Sequence, residues 1–253
     1  MNLCLRVPSF AVVIPAYNEG EAVTECLMQV EEHLSRLPNR TAILAVDDGS
    51  TDQTGDCIRR AANSMPRLEL LEHPVNAGYG AAIMTGVRVA SETGFDYVLF
   101  MDSDLTNDPA DIPRFAQEMA RGTDVIKASR YVTGGGFEGV PPGRRMLSRI
   151  GNGVARWLLR IPLRDCTNGF RAVRTDLLAG IRFRESGFAV IMEELYRIAP
   201  VATTYAEIPV TLKTRAGDRR PSAFSYSPRT VARYLRYPVL SRLRRGHRRR
   251  EPA

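Results

Sequence analysis

The sequence predicts one α/β domain with a mostly parallel sheet flanked by helices, of the kind that binds nucleotides. Two observations carry this. Apolar, β-rich runs alternate with amphipathic stretches through the first half of the chain, which is the pattern of βαβ units. Several of those runs end in acidic residues, which an open parallel sheet gathers at the one rim where ligands bind.

The elements follow in order. A strand over Phe10 to Pro15 precedes a helix over Glu21 to Leu37, a strand over Thr41 to Val46 a helix over Thr51 to Ser64, and a strand over Leu68 to Leu71 a helix over Tyr79 to Thr93. Tyr97 to Met101 reads as a buried strand and Val125 to Ser129 as the next. Between them Pro109 to Arg121 reads as a helix with proline near its start, where the missing N–H costs nothing. After Thr133 the pattern breaks at Gly134-Gly135-Gly136 and Pro141-Pro142-Gly143, a loop expected to be mobile and to act as a lid. A helix from Arg145 to Leu159, a strand from Ala206 to Lys213 and an amphipathic helix from Pro228 to Leu243 complete the chain. The expected division is a catalytic domain over 1–226 and a basic helix and tail over 227–253.

With 253 residues, 44% of them hydrophobic, the chain can bury one sizeable core. Cys4, Cys26, Cys57 and Cys166 show no paired spacing, so neither a zinc site nor a disulfide framework is expected, and a reducing cytoplasm suits them. No apolar run approaches the ~18 residues of a membrane span, and the start lacks the pattern of a signal peptide. A cytoplasmic location follows as the expectation, with any attachment to the inner face of a membrane peripheral. The net charge of +7 is uneven: Lys213 to Ala253 holds thirteen Lys/Arg against two Asp/Glu, +11 locally, which leaves −4 for the rest. Such a tail suits nucleic acid, an anionic membrane or a phosphorylated acceptor, or serves only as a solubilising end. The acidic strand ends argue against nucleic acid as the partner. The helix from Ser227 to Leu240 mixes aromatics, aliphatics and arginines as an interfacial helix does, and packing back on the domain is its other reading.

Asp102-Ser103-Asp104 carries the most chemistry. Two carboxylates separated by one residue at the end of a buried strand can address a divalent cation that also binds phosphate oxygens, and hard oxygen ligands suit Mg²⁺ or Mn²⁺. In Asp47-Asp48-Gly49-Ser50-Thr51-Asp52, Ser50 or Thr51 is expected to cap the next helix. Two adjacent acids exceed what a cap needs, so one is expected to hydrogen-bond a base or ribose. The glycines of Asn76-Ala77-Gly78-Tyr79-Gly80 would let backbone approach a ligand closely.

The strings Val13-Ile14-Pro15-Ala16-Tyr17-Asn18-Glu19, Val46-Asp47-Asp48-Gly49-Ser50, Asn76-Ala77-Gly78 and Met101-Asp102-Ser103-Asp104-Leu105 together resemble a family 2 glycosyltransferase. The resemblance is greatest to the dolichol- and polyprenyl-phosphate mannosyl- and glucosyltransferases. Further matches are Ala128-Ser129-Arg130-Tyr131, the run from Asp165 to Arg171, Glu193-Glu194-Leu195-Tyr196 and Glu207-Ile208-Pro209-Val210. The resemblance implies a GT-A fold and a metal-dependent, inverting transfer from a GDP- or UDP-sugar donor. It places Pro15, Ala16, Tyr17, Glu19, Val46, Asp47 and Asp48 at the nucleotide, and Asp102, Ser103 and Asp104 at the metal and diphosphate. Arg130 would lie near the donor phosphates or sugar, Arg144 and Ser148 at an acceptor phosphate, and Arg215 and Arg220 on a late segment that closes over the phosphates.

The chain departs from the family pattern at Thr106, where relatives carry Gln, and at Arg219-Arg220, where they carry Ser-Lys, which leaves donor and acceptor open. A polyprenyl phosphate acceptor is already anionic and needs no protein base. A hydroxyl on a soluble small molecule or glycan would need one, and Asp165, Glu193 and Glu194 are the candidates, against a helix-start cap for Asp165 and surface charges for the glutamates. A nucleotide-sugar binder without catalysis is the third reading.

Overall fold

In the computed structural model, which describes residues 7–213 and 228–248, the alternation becomes a seven-stranded sheet in the order β3-β2-β1-β4-β7-β5-β8. Its first five strands in sequence are β1 (Phe10–Ala16), β2 (Thr41–Asp47), β3 (Leu68–Glu72), β4 (Tyr97–Phe100) and β5 (Val125–Ser129). The helices between them are α1 (Ala22–Ser35), α2 (Thr54–Ala62), α3 (Tyr79–Glu92) and α4 (Ile112–Ala120), the last entered through a 3-10 turn at Pro109–Asp111. Every residue of β1 is buried, because helices cover both faces of the sheet and neither side of a central strand meets water. Phe10, Val12 and Ile14 join the core beneath α1, α2 and α4, while Ala11 and Val13 join the one beneath α3.

One short strand stands where a loop was expected to be mobile. β6 (Gly136–Phe137) pairs in parallel with β9 (Thr211–Leu212), and the Gly136 N–H donates to the Val210 carbonyl. The glycine run is thereby pinned to the chain that follows β8 (Tyr205–Pro209), and the strand expected from Ala206 to Lys213 divides into β8 and β9. Helix α5 (Pro142–Leu159) starts ahead of the expected Arg145 because Pro142 opens it, as proline favours at a first turn.

The largest departure from expectation is β7 (Arg171–Arg174), which runs antiparallel between β4 and β5. Reversed in this way, it begins at the rim where the parallel strands end, so the loop from Asp165 to Phe170 arrives beside Asp102. The short helix α6 (Thr175–Leu178) follows it, then α7 (Val190–Ile198). Helix α8 (Pro228–Arg248) packs against α5 and α7, with Tyr237 buried and the Tyr234 and Tyr237 hydroxyls donating to the Phe188 carbonyl and the Glu185 carboxylate. Of the two readings of this helix, packing on the domain describes the face that carries those tyrosines. Among the described residues no helix is long and apolar enough to cross a membrane.

Candidate functional site

β1 has β2 on one side and β4 on the other, so the connections leave it in opposite directions and a crevice opens at its carboxyl end. Pro15 and Ala16 close β1 as buried positions and Val46 is buried one residue before the end of β2, whereas Tyr17, just beyond β1, is exposed at the crevice. The loops after β1 and β2 are laced together. The Asn18 N–H donates to Ser50 Oγ, the Thr51 N–H to Asn18 Oδ1, and the Glu19 N–H to Thr54 Oγ1. Ser50 and Thr51 do not cap α2. The Thr54 N–H goes to Asp52 instead, while Asp47 accepts from the Ser50 N–H, a turn satisfied by its own acids.

Asp48 has a task that the sequence did not reveal. Its carboxylate accepts from the Ala77 and Gly78 N–H groups at 3.0 and 2.8 Å and bonds His73 Nδ1 at 2.7 Å, while His73 Nε2 bonds Thr85. It therefore clamps the loop from Asn76 to Gly80 against the end of β2. The glycines of that loop approach the protein's own backbone: the Gly80 N–H donates to the Ser186 carbonyl at 2.7 Å, and a Cβ on Gly80 would lie 2.0 Å from the Glu185 oxygen.

Asp102 and Asp104 stand half-buried beyond β4, with Ser103 buried between them. Asp104 Oδ1 accepts from the N–H and the hydroxyl of Thr106, so the residue that replaces the family's Gln orients this carboxylate. Leu105 between them has φ 55°, a left-handed conformation that costs a bulky residue about 1–3 kcal/mol and collects at functional sites. The Lys213 N–H donates to the Thr106 carbonyl, so the described chain reaches this loop just before Arg215. Arg215 and Arg220 themselves lie outside the described residues. Among the described residues no three His, Cys, Asp or Glu side chains form a metal cage. Two carboxylates nonetheless fit Mg²⁺ or Mn²⁺ at a diphosphate, because such a cation takes only one or two from the protein and completes its shell with phosphate oxygens and water.

Gly169 packs tightly here: a Cβ at this position would lie 2.9 Å from Asp102 Oδ2. Gly169→Ala is expected to displace the Asp102 carboxylate and to lower turnover about tenfold or more, since a misplacement of about 1 Å can cost an enzyme about a hundredfold. Steady-state kinetics set beside a thermal melt would check this, and an alanine variant with wild-type turnover would contradict it.

A buried charge network supports this rim. The Arg171 guanidinium makes a bidentate pair with Glu194 at 2.6 and 2.7 Å, both side chains fully buried, and donates to the Gly169 carbonyl. Burial pushes the Tyr79 hydroxyl well above its usual range and the Asp102 charge adds to this, while Arg171 opposes it, so Tyr79 stands protonated between the network and Asp102. Lys127 is fully buried, donates to the Asn168 carbonyl and is lowered to about 8 by desolvation and by the nearby Arg171 charge. Lys127 and His73 lie in no motif read from the sequence, Tyr79 and Arg171 lie in quoted strings that gave them no role, and only the antiparallel β7 brings Arg171 beneath the site.

The three carboxylates considered as bases are all committed. Asp165 is no helix cap. It is fully buried, takes Arg130 Nε and Nη2 at 2.6 and 2.8 Å, and accepts the N–H groups of Arg130 and Asn168. Burial alone would raise its pKa, but the Arg130 charge and hydrogen bonds hold it below the usual range. Glu194 is paired with Arg171. Glu193 is not a surface charge either: it is buried, accepts the N–H groups of Arg184 and Glu185, and pairs with Arg197. Arg130 is thus tied to the loop after Asp165, and its Nη2 also reaches Thr167. Ser148, on the inner side of α5, accepts from the Tyr131 hydroxyl at 2.7 Å, and Arg144 lies exposed one turn before it.

Comparison with known proteins agrees with this geometry. The model of Glycosyl transferase family 2 matches residues 11–182. The chain is 32% identical over 206 residues to undecaprenyl-phosphate mannosyltransferase of Micrococcus luteus, covering 80% of this chain and 83% of that one. It is 30% identical over 208 residues to polyprenol monophosphomannose synthase of Mycolicibacterium smegmatis, covering 81% and 77%. Among solved structures it resembles glucosyl-3-phosphoglycerate synthase of Mycobacterium tuberculosis in complex with Mn²⁺, UDP and phosphoglyceric acid. The TM-score there is 0.62 at 22% identity, over 93% of this chain and 78% of that one, which establishes the GT-A architecture. The sheet with its one reversed strand, the paired carboxylates at its rim and the family match lead to one conclusion: this chain is a member of glycosyl transferase family 2.

Proposed function

We propose that the protein transfers a sugar, with inversion, from a GDP- or UDP-sugar to a polyprenyl or dolichyl phosphate, with Mg²⁺ or Mn²⁺ held by Asp102 and Asp104. The observation that carries the acceptor class is the commitment of Asp165, Glu193 and Glu194 to buried partners. An alcohol acceptor requires a base to take its proton, whereas a phosphate monoester attacks with a charge it already bears. The names of the two mannosyltransferase relatives point the same way.

In this reading Tyr17, Glu19 and the ends of β1 and β2 receive the nucleotide, and Asp48 keeps the neighbouring loop in place beside it. The cation would neutralise charge on the departing diphosphate. Asp102 and Asp104 hold it there, Gly169 leaves Asp102 room, and Thr106 fixes the rotamer of Asp104. Arg130, held in place by Asp165, meets the donor phosphates or sugar. Arg144 and Ser148 meet the acceptor phosphate, and Arg215 and Arg220, outside the described residues, are assigned to the donor by the family resemblance. The basic C-terminus offers a peripheral contact with the membrane that holds such a lipid.

The test is a panel of UDP- and GDP-sugars with Mn²⁺, with and without polyprenyl phosphate, read as released nucleotide. Release that depends on the lipid phosphate supports the proposal. Efficient transfer to a neutral sugar or to phosphoglycerate instead would transfer the assignment to a soluble acceptor, and no release at all would leave a binding protein. Arg144→Ala is expected to raise acceptor KM about ten- to a hundredfold with donor KM unchanged, since a charged hydrogen bond to phosphate contributes about 1.5–3 kcal/mol. Wild-type kinetics for this variant would remove Arg144 from the acceptor site.

A further inference from the structure

Helices α5 and α8 pack on one another and expose a face that the transfer chemistry does not use. Met146, Leu147, Ile150, Val154 and Trp157 of α5 are 65, 51, 57, 40 and 63% exposed. Their helical spacing puts them on one stripe, opposite Asn152, Ala155 and Leu159, which are buried. Val239 and Leu243 of α8 are exposed as well, and the Arg242 guanidinium lies 4.8 Å from the centroid of the Trp157 ring, which links the two helices' stripes. A contiguous apolar patch of this kind on a folded domain marks an interaction site.

Charge identifies the partner. Neither helix contains an Asp or Glu, while α5 carries four arginines and α8 seven. Arg145, Arg149 and Arg156 flank the α5 stripe on one side, all of them exposed. We propose that the α5–α8 face docks on the surface of an anionic lipid bilayer, its apolar side chains entering the headgroup layer and its arginines meeting lipid phosphates. A second copy of the chain is the poorer occupant, because a symmetric contact would set arginine-bearing helices against each other with no acid on either helix to pair with them. The stripe belongs to the helix whose inner side holds Ser148 near Tyr131, so docking would bring the acceptor end of the crevice to the membrane. That last consequence, unlike the docking, rests on the acceptor proposed above.

Trp157 is the chain's one tryptophan, so its emission reports on this face. With the full chain and phosphatidylglycerol-containing vesicles, co-sedimentation and a blue shift of Trp157 emission are expected, both absent with pure phosphatidylcholine. Binding should weaken as salt shortens the screening length from ~30 Å to ~3 Å. Ile150→Glu with Val154→Glu should lower partitioning about tenfold or more, since each position loses apolar burial. The melting temperature of this variant should stay unchanged, because both sites are exposed. Failure of the wild-type chain to bind anionic vesicles, equal binding by the double variant, or a chain dimer that the double variant dissolves would overturn the proposal. Transfer to a short-chain, water-soluble prenyl phosphate without vesicles separates the two readings. The double variant should retain it if the docking face is right, whereas vesicle binding without any such transfer would remove the acceptor assignment alone.

Discussion

Asp104→Asn is expected to lower transfer about a thousandfold, or roughly 4 kcal/mol of transition-state stabilisation, while leaving the fold intact. The amide keeps an oxygen where the Thr106 N–H and hydroxyl donate, so the turn through Leu105 can persist. What the variant would lose is the charge proposed above to hold a cation against the donor diphosphate. The measurement is released nucleotide beside a circular-dichroism melt, with excess EDTA applied to the wild-type chain as a second arm. Wild-type turnover in the variant, or full activity in EDTA, would exclude the metal assignment at Asp102 and Asp104.

The second large effect is on stability. Arg171→Met is expected to cost about 3–5 kcal/mol, because it leaves the Glu194 carboxylate buried without its bidentate partner. Arg171→Met combined with Glu194→Leu should recover most of that loss, since well-packed apolar residues replace such pairs at little cost. Urea midpoints of the two singles and the double form a cycle whose coupling term reads the pair directly. Glu194→Gln distinguishes this structural role from general-base catalysis. A structural glutamate predicts lost stability with an unaltered pH–rate profile, and a base predicts a stable protein whose basic catalysis has vanished.

The strands from β1 to β5 and the helices between them were legible along the chain, because each repeats a local period that survives any packing. The rim residues were legible for the same reason, since acids placed just after a buried run must emerge at the strand end. Asp102 and Asp104 are where that rule puts them.

Other features depend on residues that meet only after folding. β7 is a short run that reads equally as loop, and only its pairing with β4 and β5 fixes its reversed direction and brings the segment from Asp165 to Gly169 to the site. Asp48 turns inward because the loop carrying Ala77 and Gly78 offers it two N–H groups, a contact across about thirty residues that no spacing announces. Glu193 and Glu194 carry the same side chains as a solvated helix surface would. Whether a carboxylate is a surface charge, a base or half of a buried ion pair depends on the cations that the rest of the chain places beside it. The sequence alone determined the strands from β1 to β5, their acidic rim and the family resemblance. The tertiary structure decided which charges pair, and that pairing commits Asp165, Glu193 and Glu194 to the scaffold.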